Sequence, residues 1–243
     1  MHISQKIRNF ASKIQTHKLI IIMKTPSQYR AQAREVLHNR WGEAAIIQAV
    51  LLGLALLLSA PSALGTLHPE FAAFTNMSSL ATLLILPIQY AFYNVLLRAL
   101  RSEDENWWNA TWQIVSKQFG RFFLAGLLIM ILTLLIGIVT LGIGAIILAY
   151  AYCMVPYLLY DYPELSVREA MKISREMMRG HKWELFILDL SFIGWFILGI
   201  LTFGIGILFA QPYQLTARAA FYDDLRAEKL VEEADNTQET IEA

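Results

Sequence analysis

A single cysteine, Cys153, stands in 243 residues. It excludes a disulfide framework and any metal site built on several thiolates. Charge is also scarce. Asp, Glu, Lys and Arg make up 16% of the chain, against about 25% in soluble domains. That deficit excludes a disordered polar chain and an ordinary soluble enzyme. Lys and Arg number 20, as do Asp and Glu, so no surplus of positive charge points to nucleic acid. Histidine offers little: His2, His17, His38, His68 and His181 lie outside the apolar runs, and no two have metal-ligand spacing. There is no His-Glu-x-x-His, no Gly-x-Ser-x-Gly and no glycine loop leading into a phosphate-binding Lys. No catalytic residue, cofactor or metal is expected, and a lipid-modifying membrane enzyme ranks last among the readings.

Apolar sequence is abundant, at 56% of residues with a mean hydropathy of +0.44. This composition predicts an integral membrane protein. Six spans are expected: Ala44 to Ala60, stopped by Pro61; Leu80 to about Leu97; Phe122 to Val139; Gly142 to Tyr160; Leu185 to Leu201; and Gly204 to Tyr222. The stretch from Phe122 to Tyr160 holds no charge at all. At about 1.5 Å per residue one helix of that length would run almost twice through a core of about 30 Å, so it must fold back. The turn chemistry sits at Thr140-Leu-Gly142-Ile-Gly144, and again at Thr202-Phe-Gly204-Ile-Gly206.

Residues 1–22 carry Lys6, Arg8, Lys13 and Lys18 ahead of only a short apolar run, Leu19 to Met23. A signal peptide needs an apolar stretch of about 7–15. The segment is either a genuine basic arm or an extension ahead of a start at Met23. The membrane domain is expected over 23–225 and an acidic, solvated tail over 226–243. Eight Lys and Arg precede span 1, four lie between spans 2 and 3, five between spans 4 and 5, and three at or after the end of span 6. All twenty therefore fall on one side, and the other side has only His68 and Glu70. Basic residues favour the cytoplasmic face, so both termini are expected there, in the plasma membrane.

The two glycine turns are copies of one string, and Tyr160-Asp161 aligns with Tyr222-Asp223 at the same offset that relates the turns. Amphipathic stretches precede the hairpins. Ser166-Val-Arg-Glu169 and Ser102-Glu-Asp-Glu105 read as capping boxes. The first opens a helix ending at Gly180, and the second a helix with Trp108, Trp112, Val115 and Phe119, ending at Gly120. Pro26 opens a looser copy with Tyr29, Ala33, Val36 and Leu37, ending near Gly42. The predicted fold is thus an all-α membrane protein of six transmembrane helices in three hairpins, each preceded by a cytoplasmic amphipathic helix.

Met178-Arg-Gly-His-Lys-Trp-Glu-Leu-Phe186, Leu190-Ser-Phe-Ile-Gly-Trp195, Leu201-Thr-Phe-Gly-Ile-Gly206, Pro212-Tyr213 and Ala220-Phe-Tyr222 resemble the C-terminal half of a bacterial membrane family, domain of unknown function 975. Tyr29 to Trp41 resembles its opening, and the resemblance runs from about Met23 to Leu225. Leu141-Gly-Ile-Gly144 departs from it, since the family's pattern there is Ile-Pro-Gly. More distantly, the chain is similar to the membrane domain of some glycerophosphodiester phosphodiesterases. The resemblance implies bacterial origin and no catalytic residues.

Intramembrane polar groups are the candidate functional residues, because each is costly unless satisfied. They are Asp189 in span 5, Gln211, Gln214 and Arg218 in span 6, and Gln89 and Asn94 in span 2. Asp189 lies almost as far before Phe203, the centre of the second turn, as Arg218 lies after it. On antiparallel helices this predicts an ion pair. Trp41, Trp108, Trp112, Trp183 and Lys182 are expected at the interface, facing lipid. Two functions follow: a non-enzymatic membrane protein whose cytoplasmic face engages lipids or a partner, or a small transporter for an uncharged or amphiphilic solute. The partners expected are membrane lipids and a second copy or another membrane protein, with no nucleic acid.

Overall fold

The computed structural model describes residues 23–67, 83–103 and 106–242. The N-terminal extension 1–22 and most of the loop between spans 1 and 2, with His68 and Glu70, lie outside them. The described residues form ten helices and no strand: α1 (Pro26–Leu37), α2 (Trp41–Leu67), α3 (Ile85–Leu100), α4 (Trp107–Val139), α5 (Ile143–Tyr152), α6 (Val155–Asp161), α7 (Val167–Met177), α8 (Lys182–Leu190), α9 (Ile193–Leu201) and α10 (Ile207–Glu242).

Among the described residues, four stretches are long and apolar enough to cross a membrane: Trp41–Ser59, Trp107–Val139, Ile143–Asp161 and Lys182–Leu201. They carry the exposed apolar surface, including Leu56, Leu57, Leu134, Ile138, Ile146, Ile197 and Ile200. Apolar area on this scale fits lipid, not water. α3 and α10 are the interior pair. They bury Phe92, Asn94, Val95, Leu96, Leu97, Tyr213, Leu215, Ala217, Ala220, Phe221 and Tyr222 against their neighbours. Shelter from lipid is what lets them carry amides and charges. The small residues Ala217 and Ala220 let α10 approach closely.

Several helix ends depart from expectation. α2 runs through Pro61 to Leu67, because a proline costs one backbone hydrogen bond and kinks a helix more readily than it ends one inside an apolar run. Gly120 does not end a helix either, since α4 is continuous for 33 residues. A lone interior glycine costs only about 1 kcal/mol, and packing over so long a helix outweighs it. The cap of α4 is Asn106, whose side chain accepts from the Asn109 N–H at 3.0 Å; Ser102 instead lies in a turn with φ 63°. α1 ends at Leu37, ahead of Gly42. The acidic tail continues α10 as helix to Glu242.

α7 forms as read. The Ser166 N–H and hydroxyl donate to Glu169 at 2.8 and 2.7 Å, and Gly180 follows at φ 96°. These bonds hold the Glu169 carboxyl below its usual range. A depressed carboxylate supports the fold near neutral pH, and that support is lost as pH falls through the lowered pKa. The apolar faces of α1 (Tyr29, Ala33, Leu37) and α7 (Val167, Ala170, Met177) are buried on the bundle, leaving their basic faces outward.

The two glycine turns share one geometry. Leu141 and Gly142 have φ 50° and 90°, and Phe203 and Gly204 have 53° and 88°. Gly142 donates to Gly137 at 2.8 Å and Gly204 to Gly199 at 2.9 Å. In both, a threonine hydroxyl accepts from the glycine N–H four residues on, Thr140 from Gly144 and Thr202 from Gly206, each at 2.9 Å. The duplicated sequence therefore specifies a duplicated turn, despite the departure at Leu141. At the second turn the backbones touch: a Cβ on Gly206 would lie 2.7 Å from Gly199 Cα. Gly206→Ala is expected to cost about 1–3 kcal/mol, read as a lower Tm in detergent. Gly120, with nothing within 4 Å of its Cβ direction, is the control: Gly120→Ala should hold or raise Tm, since alanine is the better helix former.

Candidate functional site

Asp189 near the end of α8 is the centre of the buried polar site. Arg218 of α10 donates through Nε to Oδ1 at 2.7 Å and through a terminal nitrogen to Oδ2 at 2.6 Å. Gln214, one turn earlier on α10, donates to Oδ1 at 2.9 Å, and the Tyr150 hydroxyl of α5 donates to Oδ2 at 2.8 Å. Four donors from two neighbouring helices saturate the carboxylate. The Asp189 side chain is 10% exposed. The pairing expected from equal distance to the turn is therefore present. Tyr150 is the partner that sequence spacing does not reveal. Interruptions at Cys153–Met154 and Ser191–Phe192 lie just beyond Tyr150 and Asp189.

The other intramembrane candidates scatter around this centre. Gln211 accepts from Gln48 of α2 at 3.0 Å. Asn94 donates to the carbonyls of Tyr90 and Pro156 at 2.9 and 3.2 Å, clamping α3 to α6. Gln89 is half-buried on α3. The three prolines of α3, α6 and α10 do three different things. Pro87 sits in the first turn of α3, Pro156 opens α6 after the interruption, and Pro212 lies inside an unbroken α10.

A second cluster joins α3, α6 and α10 at the far ends from the glycine turns. Arg101 grips Asp161 at 2.7 and 2.8 Å and Asp223 at 2.7 Å. Arg226 and the Tyr222 hydroxyl each reach Asp161 at 2.9 Å. Burial opposes the Arg101 charge, but hydrogen bonds to Asp161 and Asp223 outweigh it and hold the guanidinium above its ordinary range. The repeat-related aspartates thus share one arginine. The aligned Tyr-Asp pairs were the only signal of this cluster in the sequence.

Between the two clusters the interior is filled. Tyr93 stacks on Tyr157 at 6.3 Å, and Tyr157 on Tyr222 at 4.9 Å. Among the interfacial candidates, Trp183 is 68% exposed, and Trp108 and Trp112 are exposed and meet edge-on at 5.9 Å. Lys182 is half-buried. Trp41 is half-buried and leans onto Phe209 and Tyr213, because it begins α2 where α2 meets α10. Trp107 is fully buried under Arg40 at 5.3 Å, so it does not belong to an outward belt.

Outside the bundle, Arg168, Lys172, Arg175 and Arg179 line an open groove of about 380 Å³ along α7, with Tyr152, Met171 and Glu176. Four cations face one carboxylate there. No group of His, Cys, Asp and Glu among the described residues could hold a metal.

Residues 127–229, which carry both glycine turns, Asp189, Arg218, Asp161 and Asp223, match the family described as protein of unknown function (DUF975). The match covers the later part of the resemblance read over Met23 to Leu225, while α1, α2 and α3 precede it. No curated protein and no solved structure matches the chain, and the likeness to glycerophosphodiester phosphodiesterase membrane domains finds no support in these comparisons. Within the matched segment the glycine turns and the Asp189 site are the features that specify geometry.

Proposed function

We propose that the protein is a six-span, non-enzymatic membrane protein whose cytoplasmic face binds anionic phospholipid headgroups. α3 and α10 complete the four apolar stretches as two sheltered crossings, and both termini face the cytoplasm. The observation that carries the reading is the α7 groove, where three basic side chains of a helix fixed to the bundle by its apolar face, and Arg179 just past its end, stand together. Such a groove suits a phosphate in the headgroup layer. The tyrosine stack and the saturated Asp189 support binding over transport, since they fill the space between α3, α6 and α10 where a solute would pass.

Each basic residue near an anionic surface is worth about 1 kcal/mol. The triple variant Lys172→Gln, Arg175→Gln, Arg179→Gln is therefore expected to lower bound phosphatidylglycerol at least tenfold relative to phosphatidylcholine. Native mass spectrometry of protein from mixed-lipid nanodiscs reads the ratio. An unchanged ratio in a folded variant overturns the reading.

A further inference from the structure

A second groove lies on the apolar surface, away from α7. It is about 240 Å³ in volume, between α2, α9 and α10. An apolar cavity of about 150 Å³ already takes a benzene-sized guest. Its walls are Trp41, Trp195, Leu198, Phe209 and Ala210, and the close-packed Gly199 and Gly206 floor its far end. Arg34 of α1 stands at the other end, exposed.

Tyr213 lines the groove at the Arg34 end. Its ring is boxed edge-on by Trp41 at 5.8 Å and Trp195 at 5.7 Å. It is 2% exposed, so it serves as a wall and does not present its hydroxyl to the groove. The groove thus has an apolar trough at one end and the Arg34 cation at the other.

We infer that this groove holds one phospholipid, its acyl chain lying between α9 and α10 and its phosphate on Arg34. The chemistry at each end selects the occupant. A free anion would leave the trough empty, and a free hydrocarbon would leave Arg34 unmet. The inference rests on the membrane placement proposed above and not on the α7 groove.

The test uses the full chain in nanodiscs with phosphatidylglycerol carrying a photoactivatable diazirine in one acyl chain, and with the matching phosphatidylcholine. Label from phosphatidylglycerol should concentrate on residues 195–213 at least threefold over Leu134, Leu135 and Ile138 of α4, which face lipid without a groove. Leu198→Trp, at an exposed rim position, should bring it down to the α4 level. Arg34→Gln should lower labelling from both lipids several-fold, since each carries the phosphate that Arg34 would hold. Both variants are checked for folding by size exclusion and helical circular dichroism. Equal labelling of the two regions, or no response to Leu198→Trp, overturns the site. A response to Leu198→Trp without one to Arg34→Gln overturns the phosphate contact. Photo-linked dimers through 195–213 assign the groove to a second copy and overturn the lipid. The triple α7 variant should leave this labelling intact, which separates failure here from failure of the α7 reading.

Discussion

Arg218→Gln is expected to lower stability in detergent by about 3–5 kcal/mol, the range for removing one partner of a buried ion pair. The change leaves the Asp189 carboxyl with Tyr150 and Gln214 as its remaining donors. Asp189→Asn strands Arg218 instead, and its longer side chain, 30% exposed, can reach toward the headgroups. Its loss should be smaller, about 2–3 kcal/mol, comparable with inserting an unpaired charge. The double variant removes both charges and should recover at least about 1–2 kcal/mol over Arg218→Gln, because no charge is left stranded. Thermal unfolding followed by fluorescence-detected size exclusion checks the cycle. Additive losses would mean that the short contacts carry no coupling. Tyr150→Phe, which deletes one of four donors, should cost only about 1 kcal/mol.

Arg101→Gln is the second large effect. Arg101 is the residue through which α3 bridges carboxylates on two other helices, and Asp161 beneath it is only 6% exposed. Losing it should cost about 2–4 kcal/mol, since Arg226 and Tyr222 cannot replace a two-pronged contact. Arg101→Lys keeps the charge but cannot present parallel N–H donors to two carboxylates. It should recover less than half of the loss. Both effects are read as Tm in the same detergent, and full rescue by Lys would reduce the cluster to simple charge balance.

Counting from the turns made the Asp189–Arg218 pair legible. A hairpin of two antiparallel helices converts sequence distance into depth, and near-equal distances on either side of Phe203 put the two groups level. The turns were legible because only glycine enters the left-handed region cheaply, and two copies of Thr-x-Gly-x-Gly place it alike. Positions that depend on which neighbour covers a helix were not legible. Trp107 looks like its interfacial neighbours in sequence, yet tertiary packing buries it fully. Helix ends were misread wherever one breaker met a long apolar run. Gly120 and Pro61 did not stop α4 or α2, while the Ser191–Phe192 interruption carries no proline at all. There the Ser191 hydroxyl donates to the Leu188 carbonyl at 2.6 Å, a local competitor for the helical ladder. Arg101 read as one of four loop cations, because its two partners lie 60 and 122 residues away.

The proposed six-span arrangement, with its basic face on one side, underlies both proposed lipid sites, and substituted-cysteine labelling tests it most directly. In a Cys153→Ala background, single cysteines are placed at Asn76, at Lys172 on α7 and at Leu141 in the first glycine turn. Intact cells are then treated with an impermeant thiol reagent, with and without permeabilisation. The expected result is labelling at 76 in intact cells, and at 172 only after permeabilisation. Position 141 should follow 76, or stay unlabelled in lipid under both conditions. Labelling at 172 in intact cells, or at 141 only after permeabilisation, would contradict the arrangement.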